Sequence, residues 1–287
     1  NEIAHAYLFL GPGGVGKNEV ALAFARILLG IKKGSHPDLL VLERQGNTIR
    51  IAEVRRLKEW LNYKPYAAKR RVALVPEAHL MSTEAANALL KVLEEPAGEV
   101  VLILTADTET LPPTVVSRCQ VVRFQALPEK EVCEILLQHG VEREKALQLS
   151  WLSKGSPGRA LSMAAVDLSA LIELAATFWR DIIQGDTLAV YETAENLEKD
   201  VDRREAFLAV LEVYIRDTIL YAKGLIAQMQ LLPVELAQKT SVVGVRELGR
   251  LLRLIGKTRH SFSRNANPLL AQIKLYFEIA DAMKEVY

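Results

Sequence analysis

The sequence predicts an α/β domain built on a phosphate-binding loop and a parallel sheet, followed by helical domains that fill the rest of the 287 residues. Three observations carry this. Short apolar runs alternate with helix-length amphipathic segments as far as Phe124. The glycine-rich stretch Gly11-Pro12-Gly13-Gly14-Val15-Gly16-Lys17 lies between the first run and the first such segment. After Pro128 the strand signals stop. Strands separated by helices favour a parallel sheet covered on both faces, with the loops that follow the strands collected on one ligand-binding edge.

Taken in order, residues 6–10 (AYLFL) read as the first strand and residues 19–29 as a helix by their apolar spacing. Residues 39–42 are a second strand, and 51–61 an amphipathic helix that ends near Pro65. Residues 71–76 (RVALVP) are a third strand, and 82–93 a helix closed by Pro96. Residues 100–105 (VVLILT) are a fourth strand and 121–124 a candidate fifth. Beyond them, 129–138 and 144–152 read as helices, and Gly155-Ser156-Pro157-Gly158 opens another. From about Asp167 onward the pattern is helical, punctuated by Pro233 and Pro268. The expected division is an α/β domain over 1–126, a small helical domain over 127–165 and a larger one over 166–287. Apolar stripes such as Leu208, Leu211, Ile215 and Ile219 read as core.

Lys and Arg total 36 against 35 Asp and Glu. A dedicated nucleic-acid binder usually shows a basic excess, so the balance points to protein partners first. Two cysteines, Cys119 and Cys133, supply neither a disulfide framework nor a four-ligand zinc site, and a reducing cytoplasm is the simplest compartment. No apolar run approaches the roughly 20 residues of a membrane span. The start, Asn1-Glu2-Ile3-Ala4-His5, does not read as a signal peptide. It lacks Met, which fits a chain that begins inside a longer protein.

Residues 11–17 match G-x-x-x-x-G-K in the strand–loop–helix setting that a P-loop requires. Gly11, Gly13, Gly14 and Gly16 let the backbone curl so that N–H groups face phosphate oxygens. The helix adds its positive end, and Lys17 would reach the outer phosphates. The next position should carry the hydroxyl that binds Mg²⁺ and is Asn18 instead. The strand 72–75 runs into Pro76-Glu77. Glu77 stands where a water-orienting carboxylate would, but Pro76 cannot ligate a metal. Phosphoryl transfer depends on positioning and charge neutralisation, so the sequence predicts no ATP hydrolysis by this chain alone. Weak nucleotide binding is left open.

Further residues resemble a known family. Residues 85–96 (AANALLKVLEEP), Ser117-Arg118-Cys119, His5-Ala6-Tyr7-Leu8-Phe9, Ser35-His36-Pro37-Asp38, residues 155–161 (GSPGRAL) and residues 265–270 (NANPLL) are together similar to bacterial clamp-loader subunits of the AAA+ type. The resemblance implies an AAA+ domain, a helical lid and an all-α collar, acting in DNA replication within the DNA polymerase III holoenzyme. It implies partners in a hetero-pentamer with gamma/tau-type and delta-type subunits, and through that complex the sliding clamp and primed DNA, in the cytoplasmic replisome. Asn18 and Pro76 depart from the gamma/tau kind, whose ATP site is intact. They fit the delta-prime kind, whose site is commonly degraded. The alternative is a gamma/tau-type ATPase. The four-cysteine zinc module usual in the family is missing near Gly30-Ile31, so zinc enters only if residues there are lacking from this sequence.

The resemblance further implies that Arg118 points at ATP bound to a neighbouring subunit as an arginine finger, with ATP and Mg²⁺ held there and no cofactor required here. Thr105 falls at the sensor 1 position and Arg159 at sensor 2. Each contacts nucleotide or only maintains the domain interface. Cys119 reads as a small buried residue, His36 and His79 as structural, and Lys69-Arg70-Arg71 as a solvated entry to the third strand, with a DNA-facing role as the lesser alternative.

Overall fold

The computed structural model describes residues 3–44, 46, 48–96, 98–107, 111–263 and 266–284. Asn1 and Glu2 of the start and Asn265 of the 265–270 motif lie outside the described residues. The chain divides into two compact units, Asn1–Leu127 and Pro128–Tyr287.

The first unit holds strands β1 (Ala6–Leu10), β2 (Leu39–Val41), β3 (Arg71–Val75), β4 (Val100–Ala106) and β5 (Gln120–Arg123). They form one parallel sheet in the order β2-β3-β4-β1-β5. Parallel strands need crossovers, supplied here by helices α1 (Lys17–Leu29), α2 (Ile51–Leu61), α3 (Thr83–Glu94) and the short α4 (Pro113–Val116). Alternate residues of each strand enter opposite cores. Leu8, Ala73, Val75, Leu102 and Leu104 pack with Val54 and Leu57 of α2 and Leu89 of α3. Tyr7, Phe9, Val72, Leu74, Val101 and Ile103 pack with Ala21, Ala25 and Leu29 of α1. Burial on both faces is why these strands read as unbroken apolar runs. This is the parallel P-loop sheet that the AAA+ resemblance implies.

Local chemistry sets the ends. Gly30 closes α1 in the left-handed region at φ 71°, and its N–H caps the Ile27 carbonyl. The Ser82 hydroxyl oxygen accepts from the Ala85 N–H and starts α3. The first helix begins at Lys17, two residues before the apolar spacing shows it, and β4 runs on to Ala106.

The run Lys69-Arg70-Arg71 is not wholly solvated, contrary to the sequence reading. Arg71 is buried, lies 4.4 Å over the Trp60 ring, and donates to the carbonyls of Trp60 (2.6 Å) and Lys64 (3.1 Å). It faces Asp38, which is fully buried and accepts from the backbone N–H groups of Tyr66, Ala67 and Ala68 at 2.6, 2.7 and 2.8 Å. Burial alone would raise the Asp38 pKa. The three N–H donors and Arg71 outweigh it and hold the carboxyl below its usual value.

The second unit is helical: α5 (Glu129–Gln138), α6 (Arg143–Leu152), α7 (Pro157–Met163), α8 (Leu168–Ile183), α9 (Leu188–Leu197), α10 (Val201–Ala222), α11 (Val234–Thr240), α12 (Val245–Ser263) and α13 (Pro268–Lys284). The longest, α10, is its axis: α6, α7, α8, α11 and α12 all pack on it. The segments 127–165 and 166–287, which the sequence separates, therefore meet inside one compact unit from Pro128 onward. Leu208, Leu211 and Ile215 are buried, beside the ring cluster of Phe178, Phe207 and Tyr276. Among the described residues no single helix is long and apolar enough to cross a membrane.

Asp38→Ala is expected to cost about 3 kcal/mol in urea unfolding at neutral pH, because it orphans buried amides. With a folded pKa below 3.8, the carboxylate's contribution is present above that value and is lost as pH falls through the folded one. The gap between wild type and Asp38→Asn should therefore close only in acid.

Candidate functional site

The loop after β1 is shaped by what its glycines permit. The Gly11 N–H donates to the Ala106 carbonyl at 3.2 Å, and a Cβ at Gly11 would collide with the Phe124 carbonyl oxygen. Gly14 and Gly16 take φ of 72° and 91°, where an L side chain is strained. No group among the described residues accepts from the amides of Gly13, Gly14, Val15 or Gly16. Those amides, at the start of α1, are the donors a phosphate would use.

Lys17 is the first residue of α1 and is buried. Its ammonium lies 2.9 Å from the Gly11 carbonyl, 2.6 Å from the Pro12 carbonyl and 2.8 Å from Asp107 Oδ1. An ammonium has three donors, and all three are taken. Asp107 is the first residue past β4, and the sequence reading missed it. Its backbone N–H donates to His79 Nδ1 at 3.2 Å, a nitrogen that must be unprotonated to accept. Burial pushes the His79 pKa below its usual value.

The metal-holding groups are otherwise engaged. Asn18 Oδ1 accepts from the Thr105 hydroxyl at 2.7 Å, and Thr105 Oγ1 accepts from the Glu77 N–H at 3.1 Å. Glu77 stands in the left-handed region at φ 50°, and its carboxylate pairs with Arg44 at 3.1 Å. Pro76 offers no ligand. The residues present do not fit a P-loop Mg²⁺ site, and no group of three or more His, Cys, Asp or Glu among the described residues is placed to hold a metal ion. Loop glycines, Lys17, Asn18, Glu77 and Thr105 thus come together at the ends of β1, β3 and β4, joined by Asp107 and His79.

Arg118 stands elsewhere, just past α4. Its side chain is 36% exposed, with Nη2 2.6 Å from Glu94 Oε1 and Nη1 donating to the Thr114 carbonyl at 3.0 Å. Glu94 ends α3 and Thr114 lies in α4, so Arg118 is tethered to both helices. The neighbouring Cys119 thiol is pushed by burial up to about 11, which makes it a packing residue and not a nucleophile.

Arg159 belongs to the second unit. It lies in the first turn of α7, where the Ser156 hydroxyl oxygen accepts its N–H, and its guanidinium is 3.7 Å from Glu212 of α10. Buried Glu212 also pairs with Arg259 at 2.7 Å and Lys154 at 2.9 Å. Burial would raise the Glu212 pKa; Arg259 and Lys154 bring it below its usual value. Arg159 is thus built into a charge cluster that ties α7 to α10.

Residues 28–128 match the family model described as DNA polymerase III, delta subunit. The chain is 33% identical to the DNA polymerase III subunit tau/gamma of Haemophilus influenzae over 187 residues, 57% of this chain and 27% of that protein. It is 30% identical to the delta-prime subunit of Bacillus subtilis over 167 residues, 52% of this chain and 51% of that protein. It is 38% identical to the delta-prime subunit of Pseudomonas aeruginosa over 136 residues, 40% of this chain and 42% of that protein. The chain thus spans about half or less of the length of these relatives. The tau/gamma and delta-prime kinds match at similar levels.

Glu212→Gln should destabilise the chain by about 3 kcal/mol in urea unfolding, since it removes the buried carboxylate that the half-buried Arg159 and Arg259 face. Glu205→Gln, at a more exposed partner of Arg259, should cost far less.

Proposed function

We infer that this chain, which belongs to the family of DNA polymerase III clamp-loader subunits, works there as a delta-prime-type subunit. It would lend Arg118 to ATP held by a neighbouring gamma/tau-type subunit and hydrolyse none itself. The observation that carries this reading is a pairing of opposites. The chain has a half-exposed, tethered guanidinium within Ser117-Arg118-Cys119, and a loop of its own whose metal-holding positions are filled by Pro76 and by an Asn18 already bonded to Thr105.

A guanidinium is charged at every working pH and presents a planar fork matched to phosphate oxygens. Set against a transferring phosphoryl group, it stabilises charge that develops in the transition state, so it acts on rate more than on ground-state binding. The proposed assembly is a hetero-pentamer with gamma/tau-type and delta-type subunits. The second unit would serve as the collar, and the complex would load a sliding clamp onto primed DNA in the cytoplasmic replisome. The similar identity to tau/gamma subunits favours a second reading, an ATP-hydrolysing subunit. Turnover by the purified chain that is lost in Lys17→Ala would select it.

The isolated chain should not turn over ATP with or without primed DNA; a rate of order 1 per second, within the usual enzyme range, would contradict the first reading. In a reconstituted loader, Arg118→Ala should leave assembly intact by size-exclusion chromatography. It should slow single-turnover hydrolysis at one neighbouring site, where a finger acting alone contributes about 10³–10⁵. Arg118→Lys should rescue little, because a point charge does not reproduce the fork. Wild-type rates for both variants would leave Arg118 a structural residue.

A further inference from the structure

The space in front of the glycine loop already contains an anion, and it belongs to the chain. Asp107 Oδ1 is 2.8 Å from the Lys17 ammonium. Its other oxygen lies so close to the loop that a Cβ built on Gly13 would sit 2.7 Å from it. The Asp107 carboxylate therefore holds the Lys17 ammonium and crowds Gly13, while the amides of Gly13, Gly14, Val15 and Gly16 keep no acceptor among the described residues. It is fixed from behind as well, through its own N–H on His79 Nδ1 and through the bond from the Gly11 N–H to the Ala106 carbonyl next door.

We propose that Asp107 is an internal stand-in for phosphate, which closes the loop in the free chain and sets how well a nucleoside diphosphate binds there. A diphosphate needs the donor of Lys17 that Asp107 holds. If the carboxylate stayed, two anions would share one ammonium within a few ångströms, and like charges so placed repel. Escape is open to Asp107. Its side chain is 37% exposed, whereas Lys17 is buried and keeps its bonds to the Gly11 and Pro12 carbonyls. With Pro76 and an engaged Asn18, no metal is positioned to neutralise the approach, so the ligand must win the ammonium from Asp107 unaided. This rests on reading residues 11–17 as a phosphate cradle and does not depend on the role of Arg118.

The test is calorimetric titration of the whole chain with ADP in EDTA, using wild type, Asp107→Ala, Asp107→Asn and the double variant Lys17→Ala/Asp107→Ala. Thermal melts would confirm that each is folded. Asp107→Ala should bind ADP at least tenfold more tightly than wild type and Asp107→Asn by an intermediate factor. The double variant should lose the gain. Should Asp107→Ala not fold, the Asn variant carries the comparison alone. Binding that is unchanged, weaker or undetectable in both folded single variants would overturn the proposal. Tighter binding that survives in the double variant would instead sink the cradle reading, since the gain would not pass through Lys17.

Discussion

The Lys17 ammonium governs what the first unit can do. It sits at the end of β1, where a sheet buried on both faces delivers its loops to one edge, and its three donors are spent on two loop carbonyls and Asp107. In a P-loop that turns over nucleotide, this cation is shared with outer phosphates and helped by a metal ion. Here the supporting groups have turned to one another: the Thr105 hydroxyl reaches Asn18, the Glu77 N–H reaches Thr105, and the Glu77 carboxylate reaches Arg44. The network engages these side chains with one another, while the amides of Gly13, Gly14, Val15 and Gly16 keep no acceptor among the described residues.

The architecture that holds a P-loop also positions the segment after β4, and with it α4 and Arg118. Arg118 is held by other contacts than the loop: Val115 of α4 is anchored in the core shared by α2 and α3, and Glu94 and the Thr114 carbonyl orient the guanidinium. In the second unit, Arg159 lies 3.7 Å from Glu212 of the axial helix α10, and its Nη2 makes no hydrogen bond among the described residues.

Much of this was legible in the sequence. Buried parallel strands announce themselves as apolar runs, and glycines that must adopt positive φ or admit a neighbouring carbonyl cannot be replaced, which makes the loop readable. Asp107 escaped notice because an acidic residue after a strand carries no signal of its own; only the fold brings it to Lys17. Arg71 misled because a charge run looks solvated, while Trp60 and the carbonyls around it supply the partners that let a guanidinium be buried. The division at 127–165 rests on Pro and Gly punctuation, and the packing of α6 and α7 on α10 is a feature that composition does not carry. The starts of α1 and β5 moved by one or two residues, since helix and strand ends are set by backbone bonds more than by periodicity.

The measurement that bears most directly on the proposed division of labour is a structure of the assembled loader trapped with ADP and a fluoroaluminate mimic of the transferring phosphoryl group. The reading offered here predicts that Arg118 leaves Glu94 and lies within hydrogen-bond reach of the mimic in a neighbouring subunit, while the loop of this chain holds no mimic. Arg118 still paired with Glu94 beside a filled neighbouring site, or a mimic bound at Lys17 of this chain, would contradict it.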